Sequence, residues 1–321
     1  MATVHMGYLG SASIDGSPMY LTGSSLNPVQ ELNAPELIQG RIVKHVVNYG
    51  KTEIGGNFTG AMAEDHAHGI WTRAYDRDSS SNDHMLNDSI VVEINYYRSS
   101  GRTFKHCCIN SFEITLTAGD IAYFTIDFMS AANPAQFADE EFVDPTAPTN
   151  RPVPTGGKKM ITWDRCAFNV TQWTAPDLGL QAFSFSINNN LQRVYCLNEG
   201  TDAGTENMRL FPCELVAGFR DITGSVSVFS NNRPETMFPP NDVSDHGGAN
   251  SSAYGADSWD DYGLGGSGSL FKKVCQMIIG KDSSTTVIDY TFTAAFRRPE
   301  ASARSDLQIV TMPFVGIGIT T

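Results

Sequence analysis

One β-rich pattern occurs nearly twice in this chain. In the first half, Pro35-Glu36-Leu37-Ile38-Gln39-Gly40-Arg41 leads through strand-like residues to Gly56-Asn57-Phe58-Thr59-Gly60. In the second half, Pro212-Cys213-Glu214-Leu215-Val216-Ala217-Gly218-Phe219-Arg220 leads to Gly224-Ser225-Val226-Ser227-Val228-Phe229. Each stretch is followed by a long polar loop and then by alternating strands that end in an apolar run. Those runs are Tyr123-Phe124-Thr125-Ile126-Asp127-Phe128 and Val310-Thr311-Met312-Pro313-Phe314-Val315. A repeat of this kind constrains the fold more than any single motif, because each copy is one supersecondary unit. Two copies of a β module in one chain suggest a part made for a symmetric assembly.

Period-two alternation runs through both halves. Phe112-Glu113-Ile114-Thr115-Leu116-Thr117 puts large apolar groups on one face and polar groups on the other. Phe183-Ser184-Phe185-Ser186-Ile187-Asn188 and Ile288-Asp289-Tyr290-Thr291-Phe292-Thr293 do the same. Strands buried on one side and wet on the other belong to antiparallel sheets. The expected fold is all-β: two tandem, related β-sandwich or half-barrel modules with long polar loops. Helix evidence is confined to Pro134–Phe142, where Pro134 would open a turn or two.

Four prolines between Asp144 and Gly157 favour a stiff, extended connector with a glycine pivot. The expected division is therefore a first module over 1–143, a linker over 144–157 and a second module over 158–321. Each module is expected to carry one long loop, at about 63–87 and about 231–269. Structureless loops of that length usually bind something or are disordered, and their matched positions favour contacts with another copy.

Composition narrows the function. At 321 residues there is chain enough for two cores, and 41% apolar with 18% charged residues describes a folded protein. A formal charge of −13 opposes wrapping of nucleic acid and binding to an anionic membrane surface. No stretch approaches the roughly 18 apolar residues of a spanning helix. The first residues lack the basic region and apolar core of a secretory signal, so folding in the cytosol is expected.

Chemistry-bearing constellations are weak. Cys107, Cys108, Cys166, Cys196, Cys213 and Cys275 form no C-x-x-C pair and read as small residues that stay reduced. His66 and His68 beside Glu64 and Asp65 lack a further ligand cluster, so they read as solvated loop histidines. Asp242, Asp245, Asp257, Asp260 and Asp261 lack the spacing of a calcium loop. Gly263–Ser269 lacks the lysine of a phosphate loop, and no nucleophile elbow is present. Asn188-Asn189-Asn190 reads as an Asx turn or bulge. The expectation is a protein that is not an enzyme, with no cofactor and no metal.

The chain resembles the tail tube (major tail) proteins of tailed bacteriophages. The residues that carry the likeness are Cys107–Asp120, Phe183–Leu191 and Leu215–Val226, within a span of roughly 30–315. The Asn110-Ser111 opening of a strand that closes on Gly119-Asp120, and the Asn188–Leu191 turn, are similar to strings in that family. The resemblance implies a virion tail protein, assembled in the host cytoplasm, whose rings stack into a hollow tube for genome passage. Its partner would be itself, with sheath and tail-end proteins as further neighbours, while DNA passes without specific binding and no membrane is involved. Single-module relatives are implied to form sixfold rings, so two modules per chain suggest a trimeric, pseudo-sixfold ring, with a hexamer as the other possibility. Candidate ring-stacking contacts are Trp71, Tyr75, Tyr254, Trp259, Asp260, Asp261 and Tyr262. The same loop aromatics also suit a second reading, a β-sandwich decoration protein or a virion protein that binds host glycans.

Overall fold

Short-range signals fix most of the strands. The computed structural model describes residues 11–26, 29–33, 48–75, 90–97, 100–130, 143–144, 159–170, 180–195, 212, 214–229, 272–282, 285–296, 300–303 and 308–319. The chain begins with β1 (Ser11–Ile14), β2 (Ser17–Leu26), β3 (Val29–Asn33) and β4 (Asn48–Ala61). A helix follows, α1 (Glu64–Tyr75), then β5 (Ile90–Tyr97), β6 (Ser100–Thr117), β7 (Tyr123–Ser130) and β8 (Val143–Asp144). A 3-10 turn at Trp163–Arg165 leads to β9 (Ala167–Val170), β10 (Leu180–Asn188), β11 (Leu191–Val194), β12 (Glu214–Ala217) and β13 (Asp221–Phe229). The last strands are β14 (Lys272–Ile279), β15 (Ile288–Phe296), β16 (Glu300–Ala303) and β17 (Gln308–Ile319). This is the all-β architecture that the alternation demands.

Two compact units emerge. The first comprises Met1–Phe112, Phe124–Lys159 and Asn188–Arg220; the second comprises Glu113–Tyr123, Met160–Ile187 and Asp221–Thr321. In the first, β1, β5, β6, β7, β4 and β2 pair in that order, and β2 pairs back to β1, which closes a six-stranded barrel. Closure removes free edges that would otherwise pair with other chains. The tight β1–β2 connection is Asp15-Gly16, both with positive φ (50° and 76°), the geometry that a two-residue hairpin needs. Phe58, Phe104, Phe112, Phe124 and Phe128 fill the interior. β3 extends the ladder along the first part of β4, and β8 adds to β6.

The second unit repeats this order strand for strand. Its path β9-β14-β15-β17-β13-β10 matches β1-β5-β6-β7-β4-β2. Phe168 on β9 lies 5.9 Å from Phe183 on β10 and 5.7 Å from Phe314 on β17, so the end strands share one aromatic core. Phe185, Tyr290 and Phe292 complete it, with ring centroids 5.2–5.7 Å apart. The strands singled out by alternation behave as patterned: Phe112, Ile114, Leu116, Phe183, Phe185, Ile187, Ile288, Tyr290 and Phe292 are all buried.

One expectation is corrected. Residues 63–87 were expected to be a structureless loop, yet Glu64–Tyr75 is an α-helix. Ala67, Ile70, Trp71 and Ala74 fall on one helical stripe and are buried, Glu64 and Asp65 suit the positive N-terminal end, and Arg73 suits the last turn. The short helix expected at 134–142, the linker at 144–157 beyond Asp144, and the loop at 231–269 lie outside the described residues.

Candidate functional site

Among the described residues, the features that stand out lie on strand faces and on one hairpin. The outward faces of the strands are built from small polar groups bonded across the ladder. On the first unit, Asp127 of β7 accepts from Asn57 Nδ2 of β4 at 2.7 Å and from Ser111 Oγ of β6 at 2.6 Å. On the second, Ser184 and Ser225 hydroxyls pair at 2.9 Å, as do Ser227 and Thr311. These donors and acceptors are engaged with each other across the strands.

A second feature belongs to the first unit although it follows β10 in sequence. β11 and β12 form a two-stranded hairpin in which Leu191 pairs with Ala217 and Arg193 with Leu215. Leu191, Leu215 and Ala217 pack together against Cys108 and Met129. Asn189, fully buried, is the pin: its Nδ2 donates to the carbonyls of Ala74 and Ile109, both at 3.0 Å. Its backbone N–H donates to Asn110 O at 2.7 Å, and its Oδ1 accepts from Arg220 Nε at 3.0 Å. Arg220 also lies 5.0 Å from the centroid of Tyr75. Neighbouring Asn190 takes φ 49°, with its N–H bonded to Asn188 Oδ1 at 2.9 Å, which is the expected Asx turn. At the hairpin's side, Glu53 accepts from Arg193 and Tyr195, each at 3.2 Å.

The candidate contact residues separate. Trp71 and Tyr75 come together on α1, stacked at 5.5 Å, and Trp71 is buried against Phe112. Tyr254, Trp259, Asp260, Asp261 and Tyr262 lie outside the described residues. Sequence reasoning passed over Phe219, which is 92% exposed. Its backbone carbonyl is gripped by Asn190 Nδ2 at 2.6 Å, so an apolar ring is presented to solvent from a fixed chain. The bare pattern Gly-Phe-Arg at a strand start carries no signal for this.

The histidine reading needs correction. His66 is not solvated: it is 2% exposed, beneath Tyr20 and Phe124, and its Nε2 accepts the Ala63 N–H at 3.3 Å. Burial holds its pKa below the usual 6.5, partly opposed by Asp65 at 3.2 Å. His68, two residues on along the helix, lies on another side and is exposed. Among the described residues, no group of three or more His, Cys, Asp and Glu converges as a metal site.

Cys107, Cys108, Cys166 and Cys275 carry thiols that are not joined in disulfides. Burial raises them all, Cys108 and Cys166 to about 11 and Cys275 to about 12. A cavity of about 170 Å³ in the second unit is lined by Leu116, Trp163, Cys166, Leu180 and Phe183 among others. It is smaller than sites that enclose drug-sized ligands. Among the described residues, no helix is long and apolar enough to cross a membrane.

No curated protein matches the chain. A family model described as phage tail tube protein matches residues 48–232, more than half of the sequence. That span runs from β4 of the first barrel, through the Asn189 pin and hairpin, into β13 of the second unit. The chain therefore belongs to the phage tail tube protein family, a structural component of the bacteriophage tail.

Proposed function

We propose that the chain assembles with copies of itself into rings that stack as the hollow tail tube, through which the genome leaves the virion. The observation that carries this reading is the duplicated strand order, with β1-β5-β6-β7-β4-β2 matched by β9-β14-β15-β17-β13-β10. A chain carrying two equivalent modules closes a pseudo-sixfold ring with three copies. The two repeats are assigned to 1–143 and 158–321, on either side of the proline-rich stretch at 144–157, with Glu113–Tyr123 counted in the second compact unit and Asn188–Arg220 in the first. Assembly takes place in the host cytoplasm, and further contacts run to sheath and tail-end proteins. The protein has no catalytic role.

Stacking between rings is assigned to Tyr254, Trp259, Asp260, Asp261 and Tyr262 of the long loop, with Tyr75 and, behind it, Trp71. Aromatic anchors of this kind dominate protein interfaces. The small-polar faces around Asp127 and around Ser225 suit a conduit for DNA. A net charge of −13 discourages phosphate contacts that would otherwise accumulate over many rings. Electron microscopy of the purified protein tests this. Hollow rings or tubes are expected, and compact particles without a pore would overturn it.

A further inference from the structure

Among the described residues, five large apolar side chains are exposed: Trp163, Val194, Val216, Phe219 and Val274. Three of the five belong to the β11–β12 hairpin and the residues just after it. Val194 pairs with Glu214 and Val216 with Gln192, so both valines stand on the outer face of the hairpin, away from buried Leu191, Leu215 and Ala217. Exposed apolar residues scattered singly need no explanation, but a group of them marks an interaction surface. Phe219 leads this group, and the chain beneath it is fixed. Gly218 N–H reaches the carbonyls of Asn189 and Asn190, each at 3.1 Å, and Asn190 Nδ2 donates to the Phe219 carbonyl at 2.6 Å. An aromatic ring carried on a backbone already in place loses little freedom on binding.

The second unit holds a receptacle of matching size. Its cavity of about 170 Å³ is walled by Leu116, Trp163, Leu180 and Phe183, with Asp164 and Gln181 as polar members. Gln181 turns its Nε2 onto the Leu180 carbonyl at 3.4 Å. Trp163, another of the five exposed residues, lines this cavity with half its surface in water. An apolar cavity of roughly 150 Å³ accepts a benzene molecule. The space therefore suits one phenyl group. Phe219 is 92% exposed in its own chain, so it does not occupy the cavity there. One chain thus carries an unseated aromatic anchor on its first unit and an open apolar cavity on its second.

We propose that Phe219 of one chain inserts into the cavity beside Trp163 in the second unit of a neighbouring copy, with Val194 and Val216 resting on the surface around it. The occupant is a second copy because the anchor and the cavity that fits it are both parts of this one chain. Buried aromatic anchors in pockets, ringed by weaker contacts, dominate the binding energy of interfaces. A contact of this kind uses different patches on the two partners, so it runs head to tail and closes a ring when the rotation permits. The inference rests on the tube reading and names a contact that joins copies within it.

The test uses Phe219→Ser and Ala118→Trp in the full chain; Ala118 is an exposed member of the cavity lining, where a larger side chain obstructs entry. Phe219→Ser should leave the melting temperature of the monomer within a few degrees of the parent. Each variant should raise the concentration at which polymer sediments by about tenfold or more. Polymer from both variants at the parent's concentration would overturn the proposal while leaving the tube reading intact. Should either variant fail to fold, a benzophenone amino acid in place of Phe219 decides, in mixtures of isotopically heavy and light chains. Heavy-to-light links into residues 116–118, 163–166 or 180–183 support the contact, and links confined to single chains or to other segments overturn it. Heavy-to-light pairs linked at the cavity without any tube support the contact and overturn the tube reading alone. A parent protein that stays monomeric, with no such links, overturns both.

Discussion

Gly224 on β13 lies directly across from Phe314 on β17, and the phenyl ring occupies the space that a β-carbon at Gly224 would need. That carbon would also meet the Ser184 carbonyl oxygen of β10. Gly60 of the first unit has the same neighbours by position: the Phe124 ring of β7 and the Tyr20 carbonyl of β2. Two glycines, each held between a backbone oxygen and an aromatic ring on equivalent strands, mark the repeat at the level of single atoms.

Gly60→Ala and Gly224→Ala should therefore each destabilise the protein, by about 2–3 kcal/mol, because backbone and ring must both move. Chemical denaturation with tryptophan fluorescence measures this. A loss below about 0.5 kcal/mol at both positions would show that the close approach is not a constraint.

Asn189 is expected to be among the most sensitive polar positions. Asn189→Ala leaves the Ala74 and Ile109 carbonyls without their donor and Arg220 without its acceptor. Stranded buried groups cost about 1–3 kcal/mol each, so a loss of about 3 kcal/mol is predicted. Asn189→Asp, though nearly the same shape, should be at least as harmful, since a carboxylate oxygen facing two carbonyls repels both. Urea melts of the two variants decide; an Asp variant close to the parent would contradict the assigned orientation of the amide.

His66 predicts a direction for stability against pH. Its folded-state pKa lies below the ordinary 6.5 because of burial. Between the two values the unfolded chain binds a proton that the folded chain refuses. Stability contributed by this residue is complete above pH 6.5 and declines as pH falls through 6.5 towards the lower folded value, by at most about 1.4 kcal/mol per pH unit. His66→Gln, which keeps an acceptor for Ala63 N–H, should flatten the stability profile between pH 7.5 and 5.5. An unchanged slope would mean that other groups govern that window.

The described thiols should be slow to react. With Cys108 and Cys166 at about 11, the thiolate fraction at pH 8 is about a hundredfold below that of an ordinary cysteine. Alkylation of native protein followed by peptide mass spectrometry should leave Cys107, Cys108, Cys166 and Cys275 largely unmodified. Rapid labelling of Cys107 or Cys275 would show that their strands open readily.

What the sequence disclosed followed from period and punctuation. Alternation located β6, β10 and β15 with the correct buried face, because a strand half in water writes its orientation into every second residue. The Asn188–Asn190 turn was legible from asparagine chemistry. The helix at Glu64–Tyr75 was not, because its stripe of Ala67, Ile70, Trp71 and Ala74 is interrupted by polar letters that look like loop. Burial of His66 followed from that helix and was hidden with it. Neither the Asn189 pin nor exposed Phe219 had a local signature, since both depend on residues distant in sequence meeting in one unit.

The most direct test of the account is the number of chains per ring, from the mass per unit length of the polymer and the symmetry of its averaged end views. Three chains per ring, with six equivalent lobes of density, is the predicted result. Six chains per ring would contradict the claim that the duplicated module within one chain supplies the pseudo-sixfold symmetry.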